Sequence, residues 1–227
     1  MLLVKICGTR TPESAKAAIE AGADLIGMIC VPNVKRTVEP GQAKAISCVV
    51  HSFQSDRPAQ TSEILDQTYD VWTQSQLEAV RLYRPLLVGV FRDQSLDQVL
   101  ALTAEYELDM VQLHGSEPIT WARQIPVPVI KKFSPADVAE MTTPGFHALT
   151  LLDGAGGEGL KLDWDALPRS GKYILAGGLD PENVAAAVAS GPNIVGVDVS
   201  SGVETDGVHD LDKIRTFVRN AKSTILL

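Results

Sequence analysis

Cys7 and Asp153 lie far apart in the chain, yet each ends a short apolar run of β type. Cys7 closes Leu3-Val4-Lys5-Ile6 and precedes Gly8; Asp153 closes Leu149-Thr150-Leu151-Leu152 and precedes Gly154. A thiolate accepts a proton and a carboxylic acid gives one. If one rim of the fold carries both, a general base faces a general acid, an arrangement that suits a cofactor-free isomerisation. Taken singly, Cys7 also reads as a small buried hydrophobe, and Asp153 as a turn cap. Position distinguishes these readings. Lys5 lies one inward step below Cys7, and a neighbouring cation favours the thiolate.

The elements needed to position such a pair are legible. Apolar β-type runs occupy residues 2–6, 24–30, 86–91, 109–113, 127–133, 147–152, 172–176 and 194–199. Helical periodicity occupies 12–21, 39–50, 95–106, 117–124, 134–141, 181–189 and 209–221, with start signals at Thr11-Pro12, Glu39-Pro40 and Asp180-Pro181. Near-continuous apolar strands alternating with helices indicate a parallel α/β sheet. Eight units in 227 residues predict a single-domain (β/α)8 TIM barrel over residues 1–227, with a doubly wound sheet as the alternative. Residues 52–84 lengthen the connection between strands 2 and 3. They start polar, turn helix-compatible near Ser62, and are expected to form a surface insertion.

In a barrel, one parity of each strand faces inward. That parity puts Leu3, Lys5 and Cys7 together on strand 1, Met110, Gln112 and His114 on strand 4, and His147, Leu149, Leu151 and Asp153 on strand 6. The last member of each set reaches the C-terminal rim, where barrel active sites lie. Gly154-Ala155-Gly156-Gly157-Glu158-Gly159 follows Asp153 and lets backbone approach a ligand closely. Ala176-Gly177-Gly178-Leu179 follows strand 7, and Asp198-Val199-Ser200-Ser201-Gly202-Val203-Glu204 spans the end of strand 8. Loops after strands 7 and 8, with a short extra helix at 200–204, form a common phosphate site in barrels. Arg36, in Val34-Lys35-Arg36-Thr37, has the two-pronged geometry for a carboxylate, although a solvated surface pair fits the same spacing.

Composition narrows the function classes. Apolar residues make up 45%, enough for a large core, and 20 Lys and Arg against 28 Asp and Glu give a net charge of −8. With no basic stripe, nucleic acid is not an expected partner; a small anionic substrate is. Cys7, Cys30 and Cys48 show neither paired nor metal-type spacing. No His and carboxylate set has ligand spacing either, so no metal or cofactor is inferred. A reduced, cytoplasmic setting is expected, and no run is long enough to span a membrane.

Together, Val4-Lys5-Ile6-Cys7-Gly8, Val111-Gln112-Leu113-His114-Gly115, Leu151-Leu152-Asp153, Ala176-Gly177-Gly178-Leu179 and Gly196-Val197-Asp198-Val199-Ser200-Ser201-Gly202-Val203-Glu204 resemble the phosphoribosylanthranilate isomerases of tryptophan biosynthesis. Ile29-Cys30-Val31-Pro32-Asn33 with Lys35-Arg36-Thr37 looks like their fungal branch. In many fungi this domain ends a multifunctional chain, and the start directly at strand 1 fits such a domain; a monomer or a fused domain is expected. The resemblance implies an Amadori rearrangement with Cys7 as base and Asp153 as acid, and Arg36 holding the anthranilate carboxylate. It also implies a phosphate cradle that includes Gly156, Gly157, Gly177, Gly178, Ser200, Ser201 and Gly202, with Gln112, His114 and Asp198 as polar rim positions. Glu158 departs from the Thr or Ser common in the family and is expected to point away from the phosphate.

Another phosphate-sugar barrel enzyme and a non-catalytic phosphate-binding barrel are the competing readings. A metal-dependent epimerase needs an inward His and Asp set that the strands lack. An indole-glycerol-phosphate synthase needs a Lys and Glu array and an N-terminal extension. The non-catalytic barrel has no need of both Cys7 and Asp153.

Overall fold

A computed structural model describes residues 2–54, 68–153, 164 and 167–224. Eight parallel strands close into one barrel in sequence order: β1 (Leu3–Cys7), β2 (Leu25–Ile29), β3 (Leu86–Phe91), β4 (Met110–Leu113), β5 (Val129–Phe133), β6 (Leu149–Leu152), β7 (Tyr173–Leu175) and β8 (Ile194–Val199). The (β/α)8 expectation therefore holds. The strands are buried nearly throughout because the barrel interior covers one face and the helix layer the other. The outer helices are α1 (Pro12–Ala21), α2 (Pro40–Ser52), α4 (Leu96–Glu105), α5 (Val138–Met141), α6 (Val184–Ala189) and α7 (Leu211–Ser223). Their starts are encoded locally. The Thr11 hydroxyl accepts from Ser14 N at 3.2 Å ahead of Pro12, Ser95 and Gln98 form a capping box, and Asp210 accepts from Asp212 N and Lys213 N.

Two helical expectations shrink. Residues 117–124 form only a 3-10 turn, Ile119–Arg123, and 134–141 only the single turn α5. In both segments local hydrogen bonds claim the first residues. Glu117 accepts from the backbone of Asp93 and Gly115, and Asp137 accepts from Ser134.

The connection between β2 and β3 also differs from a surface insertion. It contains a second helix, α3 (Tyr69–Tyr83), whose Trp72, Thr73, Leu77 and Val80 are buried. Leu77 and Val80 join Leu3, Leu25, Leu86, Val88, Met110, Ile130, Leu149 and Ile174 in the core inside the barrel. Trp72 Nε1 donates to the His147 carbonyl (2.9 Å), and Lys172 N donates to the Tyr69 hydroxyl (3.0 Å), just before β6 and β7. The helix thus closes the floor of the barrel, at the N-terminal ends of the strands. The apolar stripe Trp72, Leu77, Val80 is what the extra length supplies.

Candidate active site

The opposite, C-terminal rim opens into a cavity of about 230 Å³. Cys7, Arg36, Gln112, His114, Asp153, Gly177, Gly178, Asp198, Ser200, Ser201 and Gly202 all line it. Strand parity thus delivers β1, β4, β6 and β8 side chains to one space. Of the expected site residues, Gly156 and Gly157, and with them Glu158, lie outside the described residues.

Cys7 sits on an ion pair. Barrel closure sets Lys5 of β1 opposite Asp198 of β8, and Lys5 Nζ donates to Asp198 Oδ1 at 2.9 Å. Lys5 is fully buried, so its charge depends on this partner. Burial opposes its ionisation, but Asp198 and Cys7 more than offset this and raise its pKa. Gly27 of β2 makes the room: a methyl there would meet Cys7 Sγ and Lys5 Nζ, each at 3.0 Å. The expectation that Lys5 favours the thiolate holds for Lys5 alone. Burial is the larger effect and pushes the Cys7 thiol up, Lys5 pulls it down, and Asp198 pushes it up again. The free protein therefore does not hold an activated, low-pKa thiol at Cys7. Cys30, pushed up to about 12 by burial, is a packing residue.

Across the cavity, His114 Nε2 lies 3.4 Å from Asp153 Oδ2, and Gln112 Nε2 lies 3.2 Å from His114 Nδ1. When the Gln112 amide donates to Nδ1, the other ring nitrogen carries the hydrogen and faces Asp153. The three side chains then form a row that fixes the carboxyl's direction. The Gln112 carbonyl oxygen and the Ser200 hydroxyl have no hydrogen-bond partner among the described residues. Both are buried in the cavity wall, where a polar ligand would satisfy them.

The far end is built from bare backbone. Gly177 and Gly178 both have positive φ, 89° and 65°, which glycine adopts without steric cost. Ser201–Val203 forms the short extra helix as a 3-10 turn. The two loops touch so closely that a Cβ on Gly202 would lie 1.9 Å from the Leu179 carbonyl oxygen. Backbone from both loops can thus surround a phosphate.

Arg36 lines the wall but is not a solvated surface cation. Its Nε donates to Glu204 Oε1 (2.8 Å) and its Nη2 to Oε2 (3.1 Å). Sequence reading placed Glu204 only within a loop pattern and Lys5 only as a neighbour of Cys7. The inward parity of Lys5 was visible; its pairing with Asp198 required strand register. Nothing local pairs Arg36 with Glu204, which lies 168 positions away.

Known proteins resemble this chain over nearly its whole length. A family model described as N-(5'-phosphoribosyl)anthranilate (PRA) isomerase matches residues 42–220. An N-(5'-phosphoribosyl)anthranilate isomerase of Lipomyces starkeyi is 53% identical, over 97% of this chain and 94% of its own. A multifunctional tryptophan biosynthesis protein of Schizosaccharomyces pombe is 44% identical over 97% of this chain, which spans 29% of that longer protein. A crystal structure of phosphoribosyl anthranilate isomerase in complex with reduced 1-(o-carboxyphenylamino)-1-deoxyribulose 5-phosphate superposes with a TM-score of 0.69. It is 30% identical and covers 98% of this chain and 99% of that one.

Proposed function

The chain belongs to the N-(5'-phosphoribosyl)anthranilate isomerase family of tryptophan biosynthesis, and on that premise we propose that Cys7 and Asp153 carry its isomerisation as general base and general acid. The observation that carries the proposal is their convergence, from β1 and β6, on the cavity that also holds Arg36 and the Gly177–Gly178 and Ser200–Gly202 loops. The substrate in this reading is N-(5-phosphoribosyl)anthranilate. Its phosphate lies against the two loops and its carboxylate meets Arg36.

Protonated Asp153 gives its proton to the ribose ring oxygen as the C1′–O bond breaks, leaving an iminium at C1′. The Asp153 carboxylate left behind accepts from His114 Nε2–H. Cys7 acts in its thiolate form, its own proton having left to solvent, and removes the C2′ proton; that electron pair forms the C1′–C2′ double bond and neutralises the nitrogen. The enol O–H then loses its proton while C1′ gains one, giving the ketone, 1-(2-carboxyphenylamino)-1-deoxyribulose 5-phosphate. Atoms and charge balance, with no external oxidant or reductant. Holding both anionic ends aligns C2′ and the ring oxygen with their partners, a large orientational gain.

Residues 1–227 act in this reading as one catalytic domain, alone or fused to other enzymes of the pathway, in the cytoplasm. The test is turnover of freshly made N-(5-phosphoribosyl)anthranilate with a metal chelator present, paired with rescue of a tryptophan auxotroph lacking this single step. Turnover and rescue are the expected results. A soluble, well-expressed protein that does neither overturns the reading.

A further inference from the structure

Glu204 is held more firmly than a surface carboxylate requires. Its backbone starts a two-stranded hairpin, β9 (Glu204–Thr205) with β10 (Val208–His209). Lys213 Nζ donates to the Glu204 carbonyl at 2.8 Å, Thr205 Oγ1 to Asp210 Oδ2 at 2.9 Å, and His209 Nε2 to the Cys7 carbonyl at 3.2 Å. The hairpin is thus tied both to α7 and to the end of β1. Its product is a carboxylate only 6% exposed, aimed at Arg36. Burial works against that charge, and the Arg36 guanidinium outweighs it and holds the carboxyl below its usual range.

The guanidinium has two bidentate edges. Glu204 occupies the one formed by Nε and Nη2. The other, formed by Nη1 and the second Nη2 hydrogen, has no hydrogen-bond partner among the described residues. The base of the side chain is confined as well, since a Cβ on Gly8 would lie 3.1 Å from Arg36 Cδ. Arg36 is therefore held at its guanidinium by Glu204 and packed at Cδ near Gly8, and it lines the cavity.

We infer that Glu204 is a positioning residue for substrate recognition: by taking the inner edge of the Arg36 guanidinium it presents the outer edge, preoriented, to the substrate's carboxylate. The inference rests on the proposed isomerase reading for the identity of that carboxylate. An Arg36 released from Glu204 retains its charge but must be ordered by the ligand, which weakens binding. The chemistry at C1′ and C2′ is left intact.

The test is steady-state kinetics and calorimetry on the full chain as wild type, Glu204→Gln, Arg36→Met and the double variant. The calorimetric probe is reduced 1-(o-carboxyphenylamino)-1-deoxyribulose 5-phosphate, compared with the same molecule lacking its carboxyl group. Glu204→Gln is expected to raise KM about 10- to 100-fold, the scale of losing charge-assisted hydrogen bonds, with kcat little changed. It weakens the carboxylated probe and not the decarboxylated one. On the Arg36→Met background it adds no further loss. An unchanged KM and probe affinity in Glu204→Gln overturns the inference. So does equal weakening of both probes, or a loss as large on the Arg36→Met background as on the wild type, since each marks a merely structural ion pair. If the wild type does not turn over the substrate, the isomerase reading fails, and the two-probe comparison still decides the role of Glu204.

Discussion

Replacing Lys5 by Met removes the ammonium beneath Cys7 at nearly constant side-chain volume, and two separable consequences follow. The first is stability. Lys5 is fully buried and Asp198 is 8% exposed, so the substitution strands a buried carboxylate, at a cost of about 3–5 kcal/mol. The second is the thiol. Cys7 Sγ and Lys5 Nζ each lie 3.0 Å from one point above Gly27, so they are no more than about 6 Å apart. At about 6 Å, an opposite charge contributes about 3 kcal/mol at an effective dielectric of about 20, and about 0.7 kcal/mol in water. Loss of Lys5 therefore raises the thiol pKa further and lowers the thiolate fraction at every pH below it. Asp198 acts on the thiol with the opposite sign, so Asp198→Asn lowers its pKa. The assay is a pH titration of thiolate ultraviolet absorbance in a Cys48→Ser background, where burial pushes Cys30 up to about 12. It is paired with kcat/KM against pH, which reports the free protein. In Lys5→Met both curves move alkaline, and in Asp198→Asn the thiol curve moves acid. An unmoved or acid-shifted thiol in Lys5→Met refutes the electrostatic account of Cys7.

Three further outcomes follow from the same structure. Gly202→Ala places a methyl 1.9 Å from the Leu179 carbonyl oxygen, forcing the loops after β7 and β8 apart by about 1 Å, a displacement able to cost about 100-fold in function. Inhibition by inorganic phosphate should weaken and substrate KM should rise, and an unchanged phosphate inhibition constant removes these loops from the phosphate site. Leu77→Ala opens the barrel floor at a cost of about 2–5 kcal/mol; denaturant melts should show the loss while kcat and KM hold, whereas a kinetic defect without a stability defect contradicts the floor assignment. Burial lowers the His147 pKa from its ordinary 6.5 to about 4, so the unfolded chain takes up this proton first. The resulting stability is complete above pH 6.5 and is lost as pH falls through the folded value, by about 3 kcal/mol in full. Stability in His147→Asn should fall less steeply across that window, and a slope equal to wild type rejects the assignment.

The barrel was legible because each strand is a compact apolar run, and the site because the inward parity of β1, β4 and β6 ends on a polar residue: Cys7, His114 and Asp153 all obey the period of two. The phosphate loops were legible because Gly177, Gly178 and Gly202 stand where backbone must turn or touch. Three features were not. The role of α3 as floor was hidden by the polar residues that introduce it, although Trp72, Leu77 and Val80 carry the apolar spacing. The pairs Lys5–Asp198 and Arg36–Glu204 depend on barrel closure and on the fold of the β9–β10 hairpin, which no local pattern reports. The ionisation of Cys7 could not be read from its neighbour, because burial in the closed barrel pushes the thiol up against the pull of Lys5, a cation already engaged by Asp198.

The most direct measurement of the acid–base assignment is kcat for N-(5-phosphoribosyl)anthranilate in Cys7→Ser and in Asp153→Asn, each with its melting temperature. Each variant should lose about 10²- to 10⁴-fold in rate with melting unchanged. Full activity in a folded Cys7→Ser or Asp153→Asn protein contradicts the assignment of that residue and, with it, the proton transfer it is given.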